Sequence, residues 1–152
     1  MNNNEILRRV KNILHFENEE MVKVFAYSSL KVNSDQIVNW IKEFEDSGYQ
    51  KLGDHQLAPF LNGLIDYKRG EKENSSHKDE KRLDNNIIFK KLKIAMNLKS
   101  EDILKILSLA DFPLRILELN TLFRKRENKH FRECKDSVLD AFLRGLEIKY
   151  CS

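Results

Sequence analysis

The stretch LAPFLNGL, residues 57–64, recurs later in the chain as LDAFLRGL, residues 139–146. Five of the eight positions are identical, and both copies carry a glycine at the same place. Leucine and phenylalanine recur three and four residues apart, which is the spacing of a buried helical face. The stretch therefore predicts the same buried helix twice in one chain.

The duplication extends well beyond this block. Residues 3–64 align with residues 85–146 without a gap, and each copy opens with the same pair of asparagines. The distance from one copy to the next exceeds the roughly 20 to 50 residues of solenoid repeats, so each copy should be a whole supersecondary unit.

Apolar spacing and polar starts predict four helices in each copy. Asn4 and Asn86 precede the first apolar stripe and are predicted to be N-caps, which accept hydrogen bonds from the unpaired amides of a first turn. The predicted second, third and fourth helices follow in both copies: Met21–Ser29 and Ile103–Ala110, Ser34–Phe44 and Arg115–Lys125, and a pair that begins near Asp54 and Asp136.

The fourth helix carries one proline and, in both copies, one glycine. Pro59 aligns with Ala141 and lacks an amide donor, so this helix should start later in the first copy, near Ala58, or bend. Gly63 and Gly145 lie in helix interiors, where glycine costs about 0.5 to 1 kcal/mol relative to alanine. A glycine present in both copies despite this cost predicts a close helix contact.

Between the copies lies RGEKENSSHKDEKR, residues 69–82, which is rich in charge and contains no apolar side chain. It predicts a solvated linker between a first helical repeat, residues 1–68, and a second, residues 83–152. Because a repeat of this size buries only a marginal core, the two are expected to pack around a pseudo-twofold axis. The predicted fold class is all-α, with two tandem copies of a roughly four-helix unit in one body.

The composition agrees with a helical globular protein. Of 152 residues, 41% are hydrophobic and 34% charged, with only five glycines and two prolines. These proportions disfavour a disordered chain and a turn-rich β-sandwich or barrel. The sequence has no apolar run long enough to cross a bilayer and no apolar leader at its start. It therefore predicts a cytoplasmic protein without a membrane partner.

Charge is divided unevenly along the chain. Residues 1–68 carry 8 Lys and Arg against 10 Asp and Glu, whereas residues 83–152 carry 14 against 10. Most of the second excess lies in one stretch that also holds Phe123 and Phe131. Its basic residues are Arg124, Lys125, Arg126, Lys129, His130, Arg132 and Lys135.

This basic stretch has two interpretations. Cations beside aromatic rings can hold phosphates and stack bases. A charge run at a helix end is more often a solvated surface that suits the negative end of the helix dipole. The first copy is acidic at the same place, so this is where a specialised anion or partner site is expected.

The second and third helices of each copy have the layout of a helix-turn-helix, whose last helix could enter a DNA groove. In the first copy that helix and its end hold one lysine against four carboxylates: Asp35, Glu43, Glu45 and Asp46. Its counterpart ends in the basic run. Such packing is also common without nucleic acid, so both interpretations stay open.

His130 and Cys134 are four residues apart, which on a helix would place an imidazole beside a thiol. Two ligands do not make a zinc site, and a part-buried thiol beside a surface histidine is the more common arrangement. Cys134 and Cys151 both lie in the second copy, which predicts reduced thiols. Phosphate-binding glycine loops, serine elbows and HExxH motifs are absent, so neither an enzyme nor a metal or cofactor is expected.

Several motifs together resemble one family. They are FLNGL at residues 60–64, NNII at 85–88, FRK at 123–125, HFREC at 130–134 and FLRGL at 142–146. With the asparagine-rich opening helix they resemble the YehS-like family across essentially the whole chain. The resemblance implies a helical, cytoplasmic bacterial protein of two tandem domains of unknown function. It brings no established activity, substrate or cofactor.

The leading interpretation is a non-catalytic helical binding module whose second repeat presents a basic surface to an acidic protein. The alternative is a nucleic-acid-binding regulatory protein of helix-turn-helix type. A small-molecule or enzymatic role around His130 and Cys134 ranks third.

Overall fold

The computed structural model describes residues 1–70 and 78–151, and the secondary structure of these residues is helical, in two series of four. The first series is α1 (Asn3–Ile13), α2 (Asn18–Tyr27), α3 (Ser34–Trp40) and α4 (Asp54–Arg69). The second is α5 (Asn85–Ala95), α6 (Ser100–Leu109), α7 (Ile116–Leu122) and α8 (Asp136–Cys151). None of the helices in this part of the chain has the length and apolar character needed to cross a membrane. The all-α prediction is confirmed for it.

The two series have the same bounds, at both ends of every helix, once Asn3 is aligned with Asn85. The backbone repeats as well. Left-handed residues follow the first two helices of each series, namely His15 and Ser29 in one and Asn97 and Asp111 in the other. Since a left-handed residue commonly ends a helix, the duplication extends to individual turns.

Contacts divide the chain into two units, Met1–Leu83 and Asp84–Ser152. Each unit is described by itself, and their packing around a pseudo-twofold axis stays a prediction. Half of the predicted linker, residues 71–77, lies outside the described residues.

The residues at both ends of the predicted linker, 69–70 and 78–82, belong to the first unit. Arg69 is the last residue of α4. Further along, the side-chain amide of Asn62 donates to Asp79 Oδ1 at 2.9 Å, and the backbone amide of Leu83 donates to Asp54 Oδ2 at 3.0 Å. The chain that leads to the second unit is therefore hydrogen-bonded to α4.

The core of each unit is built around a pair of packed helices, α2 with α4 and α6 with α8. In the first unit the ring centroids of Phe25 and Phe60 are 5.2 Å apart. In the second, Phe89 of α5 also packs on α8, and the ring centroids of Phe89 and Phe142 are 4.5 Å apart. All four rings are fully buried, and tilted rings at these separations are a favourable aromatic arrangement.

The glycines of α4 and α8 lie at close backbone contacts. A Cβ atom at Gly63 would be 2.1 Å from the carbonyl oxygen of Val24, and one at Gly145 would be 2.1 Å from that of Ile106. Any side chain would therefore overlap the backbone of the neighbouring helix. The close helix contact predicted for these glycines is confirmed.

The predicted third helices are too long. α3 ends at Trp40 rather than Phe44, and α7 ends at Leu122 rather than Lys125. The carbonyl oxygens of Trp40 and Leu122 accept hydrogen bonds from asparagine side chains. These carbonyls are hydrogen-bonded to side chains of another helix, and the series of hydrogen bonds within α3 and α7 ends at them.

The fourth helix of the first unit does not start late, since α4 begins at Asp54 and contains Pro59 in its second turn. The missing amide removes one helical bond, to the carbonyl of the exposed residue His55. Residues 57–66 of α4 are all buried, and burial of that extent outweighs the loss of one hydrogen bond.

Candidate functional site

Asn4 and Asn86 are not N-caps. The caps of α1 and α5 are Asn2 and Asp84, whose side chains accept from first-turn amides. Asn4 and Asn86 lie inside the first turn and are buried. Because a buried side-chain amide needs hydrogen-bond partners, the partners of these two residues show what they do.

In the second unit Asn86 fastens the segment that follows α7. Its side-chain amide donates to the carbonyl oxygen of Leu122 at 3.0 Å and to that of Arg132 at 2.9 Å. Its side-chain oxygen accepts from the backbone amide of Cys134 at 2.9 Å. These bonds hold residues 123–135, here called the basic loop, against the start of α5.

The neighbouring residue Asn85 binds the end of the same loop. Its side-chain amide donates to the carbonyl oxygen of Cys134 at 3.0 Å and to Asp136 Oδ1 at 2.7 Å. The second bond favours the ionised carboxylate and lowers the pKa of Asp136. Asn85 and Asn86 together form what we call the asparagine clasp.

The first unit has the same clasp at the aligned positions, formed by Asn3 and Asn4. Asn4 donates to the carbonyl oxygens of Trp40 at 2.9 Å and Gln50 at 2.7 Å. It also accepts from the backbone amide of Leu52 at 3.0 Å. The clasp is therefore architecture common to both units, and the units differ in the loop that it holds.

The basic residues singled out from the sequence lie together on the basic loop and are exposed. They are Arg124, Lys125, Arg126, Lys129, His130, Arg132 and Lys135.

Arg126 is engaged within the unit. Its guanidinium pairs with Asp84, lies 3.8 Å from Glu133 Oε1 and lies 4.9 Å from the ring centroid of Phe131. By contrast, the side chains of Arg124, Lys125, Lys129 and Lys135 have no ion-pair or hydrogen-bond partner among the described residues. These four cations are accordingly free to meet a partner.

A pocket of about 220 Å³ lies between the start of α5 and the basic loop. Its apolar lining consists of Ile87, Leu122, Phe123 and Phe131. Its cations are Lys90, Arg124, Lys125 and Arg126. The apolar residues are buried or half-buried and the cations are exposed, so the pocket combines an apolar floor with a basic rim.

The charges at this pocket differ from those at the same positions of the first unit. There, Arg8 Nη2 lies 3.5 Å from Glu43 Oε1. The aligned residues of the second unit are Lys90 and Lys125, which have no carboxylate partner among the described residues. Two cations thus share a pocket at positions where the first unit has an ion pair.

The sequence interpretation missed Lys90 because it lies on α5, far along the chain from the basic stretch. Alignment of the two copies contains the information, since Lys90 aligns with Arg8 and Lys125 with Glu43. That the aligned positions are paired becomes visible only in the structure of the first unit.

His130 and Cys134 do not share a helical face, because both lie on the basic loop. His130 is exposed, whereas Cys134 is buried. Burial, followed by the carboxylates of Asp136 and Asp84, raises the pKa of the Cys134 thiol to about 12. A thiol held protonated is a poor nucleophile and metal ligand at neutral pH, and the described residues contain no group of three or more potential metal ligands.

Cys134 is expected to resist alkylation in the folded protein. Its thiol stays protonated at about pH 8, whereas Cys151 is exposed and should react with iodoacetamide. Mass spectrometry should find the label on Cys151 alone until denaturant is added. Rapid native labelling of Cys134 would show that the loop opens.

The stability of the protein should also depend on pH through Cys134. The pKa of its thiol is 9.0 in the unfolded chain and about 12 in the folded chain. The free energy of unfolding should therefore fall as the pH rises from about 9 to about 12.

α6 and α7 follow the order of a helix-turn-helix, but α7 is only seven residues long, Ile116–Leu122. It ends before Arg124, so the cations follow the helix instead of lining it. Its exposed residues are Ile116, Leu117 and Glu118. A recognition helix presents polar and basic side chains to bases and phosphates, so these exposed residues do not suit a recognition helix.

Comparison with known proteins places the chain in a family. Residues 3–70 and residues 85–151 each match the family described as a protein of unknown function, DUF1456. The chain belongs to the DUF1456 family. Each match spans one series of four helices, so one series corresponds to one copy of the family's unit in this DUF1456 protein.

The uncharacterized protein YehS of Escherichia coli (strain K12) is 41% identical to this DUF1456 chain. The alignment covers 147 residues, which are 96% of this chain and 94% of YehS. The resemblance to the YehS-like family is confirmed, and neither name states an activity. No solved structure matches this DUF1456 chain.

Proposed function

We propose that this DUF1456 protein is a non-catalytic binding module and that the basic loop of its second unit contacts an acidic protein. One observation carries the proposal, namely that Lys90 and Lys125 stand where the first unit has the ion pair of Arg8 and Glu43. The first unit supplies a carboxylate at this place from its own chain. In the second unit a carboxylate of a partner takes that place.

The asparagine clasp supports this role because it orders the loop before a partner binds. Asn86 ties the loop near both ends, at Leu122 and at Cys134. An ordered loop loses little conformational entropy on binding. The exposed side chains of Arg124 and Lys129 add to a positive potential that speeds association with an acidic surface.

A nucleic acid is the second candidate, since cations beside Phe123 and Phe131 can bind phosphates next to stacked bases. Two contacts count against it. The Lys93 ammonium lies 5.5 Å from the ring centroid of Phe123, and the Arg126 guanidinium lies 4.9 Å from that of Phe131. Each ring already has a cation on one face, which reduces the surface for base stacking. Carboxylates need no such surface.

Lys125→Glu should weaken binding to an acidic polypeptide about tenfold, or about 1.4 kcal/mol. The new carboxylate stands opposite Lys90, as Glu43 stands opposite Arg8, and occupies the place of the partner's carboxylate. The salt concentration that elutes each protein from immobilised poly-glutamate measures the effect. An immobilised DNA oligonucleotide provides the comparison.

Lys31→Glu is the matched control, because Lys31 is an exposed residue of the first unit and the change in net charge is the same. It should elute close to the wild type. Equal elution of the two variants would mean that net charge, not the basic loop, governs retention. The nucleic-acid alternative would be favoured if the wild type were retained more strongly on DNA than on poly-glutamate and Lys125→Glu abolished that retention. Both variants should melt like the wild type, since surface charge pairs contribute little to stability.

A further inference from the structure

The pocket of the second unit contains apolar surface that the unit leaves accessible. Ile87 is half-buried and lines the pocket together with Phe123 and Phe131. The first unit has Glu5 at the position of Ile87, and Glu5 lies 3.2 Å from Arg9 Nη1. An apolar residue of the second unit thus stands where the first unit has a charged, ion-paired one.

The polar side chains that line the pocket are engaged elsewhere. Asn86 makes three hydrogen bonds within the clasp. Asp84 accepts from the amide of Ile87 at 2.8 Å and pairs with Arg126. They are therefore not available to recognise a base edge or a sugar hydroxyl. Because an unpaired polar group is costly to bury, the pocket favours an apolar occupant.

The size and charge of the pocket narrow the occupant further. Its volume of about 220 Å³ is below the roughly 300 to 1,000 Å³ of sites for drug-sized molecules, which suits one large side chain. The cations Lys90, Arg124 and Lys125 stand around it. An apolar cleft among cations is complementary to an apolar side chain among carboxylates, and side chains that fill such pockets dominate interface energies.

We infer that the pocket binds a segment of the acidic partner in which one large apolar side chain is flanked by aspartate or glutamate. The apolar side chain contacts Ile87, and the flanking carboxylates meet Lys90 and Lys125. This inference rests on the proposed function and deepens it, because it names the chemistry of the segment that binds.

A peptide library displayed on phage tests the inference with the full-length protein. Its central position is fully randomised, and the flanks are drawn from Asp, Glu, Ser and Gly. Selection should enrich Phe, Leu, Ile, Trp or Met at the centre together with acidic flanks. A selected peptide and its central alanine variant then give dissociation constants by fluorescence anisotropy, and the alanine variant should bind about tenfold more weakly.

Ile87→Gln should remove this preference without changing the charge of the protein. The selected peptide should lose about tenfold in affinity, and its alanine variant should bind Ile87→Gln as it binds the wild type. Ile94→Gln is the matched control, because Ile94 is a half-buried residue of the same helix that does not line the pocket. Circular dichroism confirms that both variants keep their helices.

The outcomes separate the two proposals. Acidic peptides that bind with no preference at the centre, or a preference that Ile87→Gln retains, would overturn the inference and leave the proposed function standing. Absence of any acidic peptide from the selection at low salt would overturn the proposed function and the inference with it. If single-stranded DNA competed for the protein more strongly than the acidic peptides, both proposals would likewise be overturned, and a nucleic acid would be the favoured partner.

Discussion

Gly145→Ala and Gly63→Ala should each lower the free energy of unfolding by about 3 kcal/mol, the upper range for overpacking. An alanine in a helix interior ordinarily stabilises by about 0.5 to 1 kcal/mol relative to glycine, so the expected sign is opposite to helix propensity. The added Cβ would lie 2.1 Å from the carbonyl oxygen of Ile106 or Val24. These are backbone atoms of a packed helix, and they can move only if the helices separate.

Urea denaturation followed by circular dichroism measures the loss. Gly53→Ala is the control, because its Cβ would meet the exposed ring of His55, at 2.7 Å, which can rotate away. Exchange of glycine for alanine at this N-cap position should cost only about 1 kcal/mol. If Gly145→Ala proved as mild as Gly53→Ala, the close approach of α6 and α8 would not be essential to the unit.

Asn86→Ala should destabilise the second unit by about 3 kcal/mol and release the basic loop. The change removes two donors and one acceptor, which leaves the buried amide of Cys134 and the carbonyl of Leu122 without their partners. Each buried group left unpaired costs about 1 to 3 kcal/mol. The loop should then open, so the thiol of Cys134 should react with iodoacetamide without denaturant. Binding to acidic peptides should weaken although no charge has been changed.

Asn120→Ala is the matched control, because Asn120 is a half-buried helical asparagine whose side chain makes no hydrogen bond among the described residues. Alanine has the higher helix propensity, so stability should be unchanged or slightly raised. Asn86→Asp tests the donated bonds separately. Its carboxylate can still accept from the amide of Cys134 but cannot donate to the carbonyl oxygens of Leu122 and Arg132. An Asn86→Ala protein with wild-type stability and a protected thiol would contradict the clasp.

Local patterns predicted the helices well and their ends less well. The stripes of apolar residues located all four helices of each series, since helical periodicity is expressed within a few turns of chain. The late start near Ala58 was wrong because the local penalty of Pro59 is overcome by the burial of the rest of α4. The third helices were extended too far because the residues that end them, Asn4 and Asn86, are distant in sequence.

The candidate site was predicted in part. Its basic loop could be found from composition, and comparison of the two copies separated the common asparagines and glycines from the charges that differ. The pocket and the role of Lys90 could not be found in this way. Each depends on which elements fold against the loop, and no local pattern carries that information.

Three properties could be read from the sequence alone: the all-α fold, the duplication of residues 3–64 as residues 85–146, and the excess of positive charge in the second copy. These properties depend on residues that are near neighbours along the chain or can be compared letter by letter. Three others required the folded structure: the end of α7, the loop that the clasp holds, and the pocket that Lys90 and Lys125 share. The clasp bonds of Asn86 join residues 36, 46 and 48 positions apart, and such pairings arise from packing, which brings distant residues together to bury apolar surface and satisfy buried polar groups.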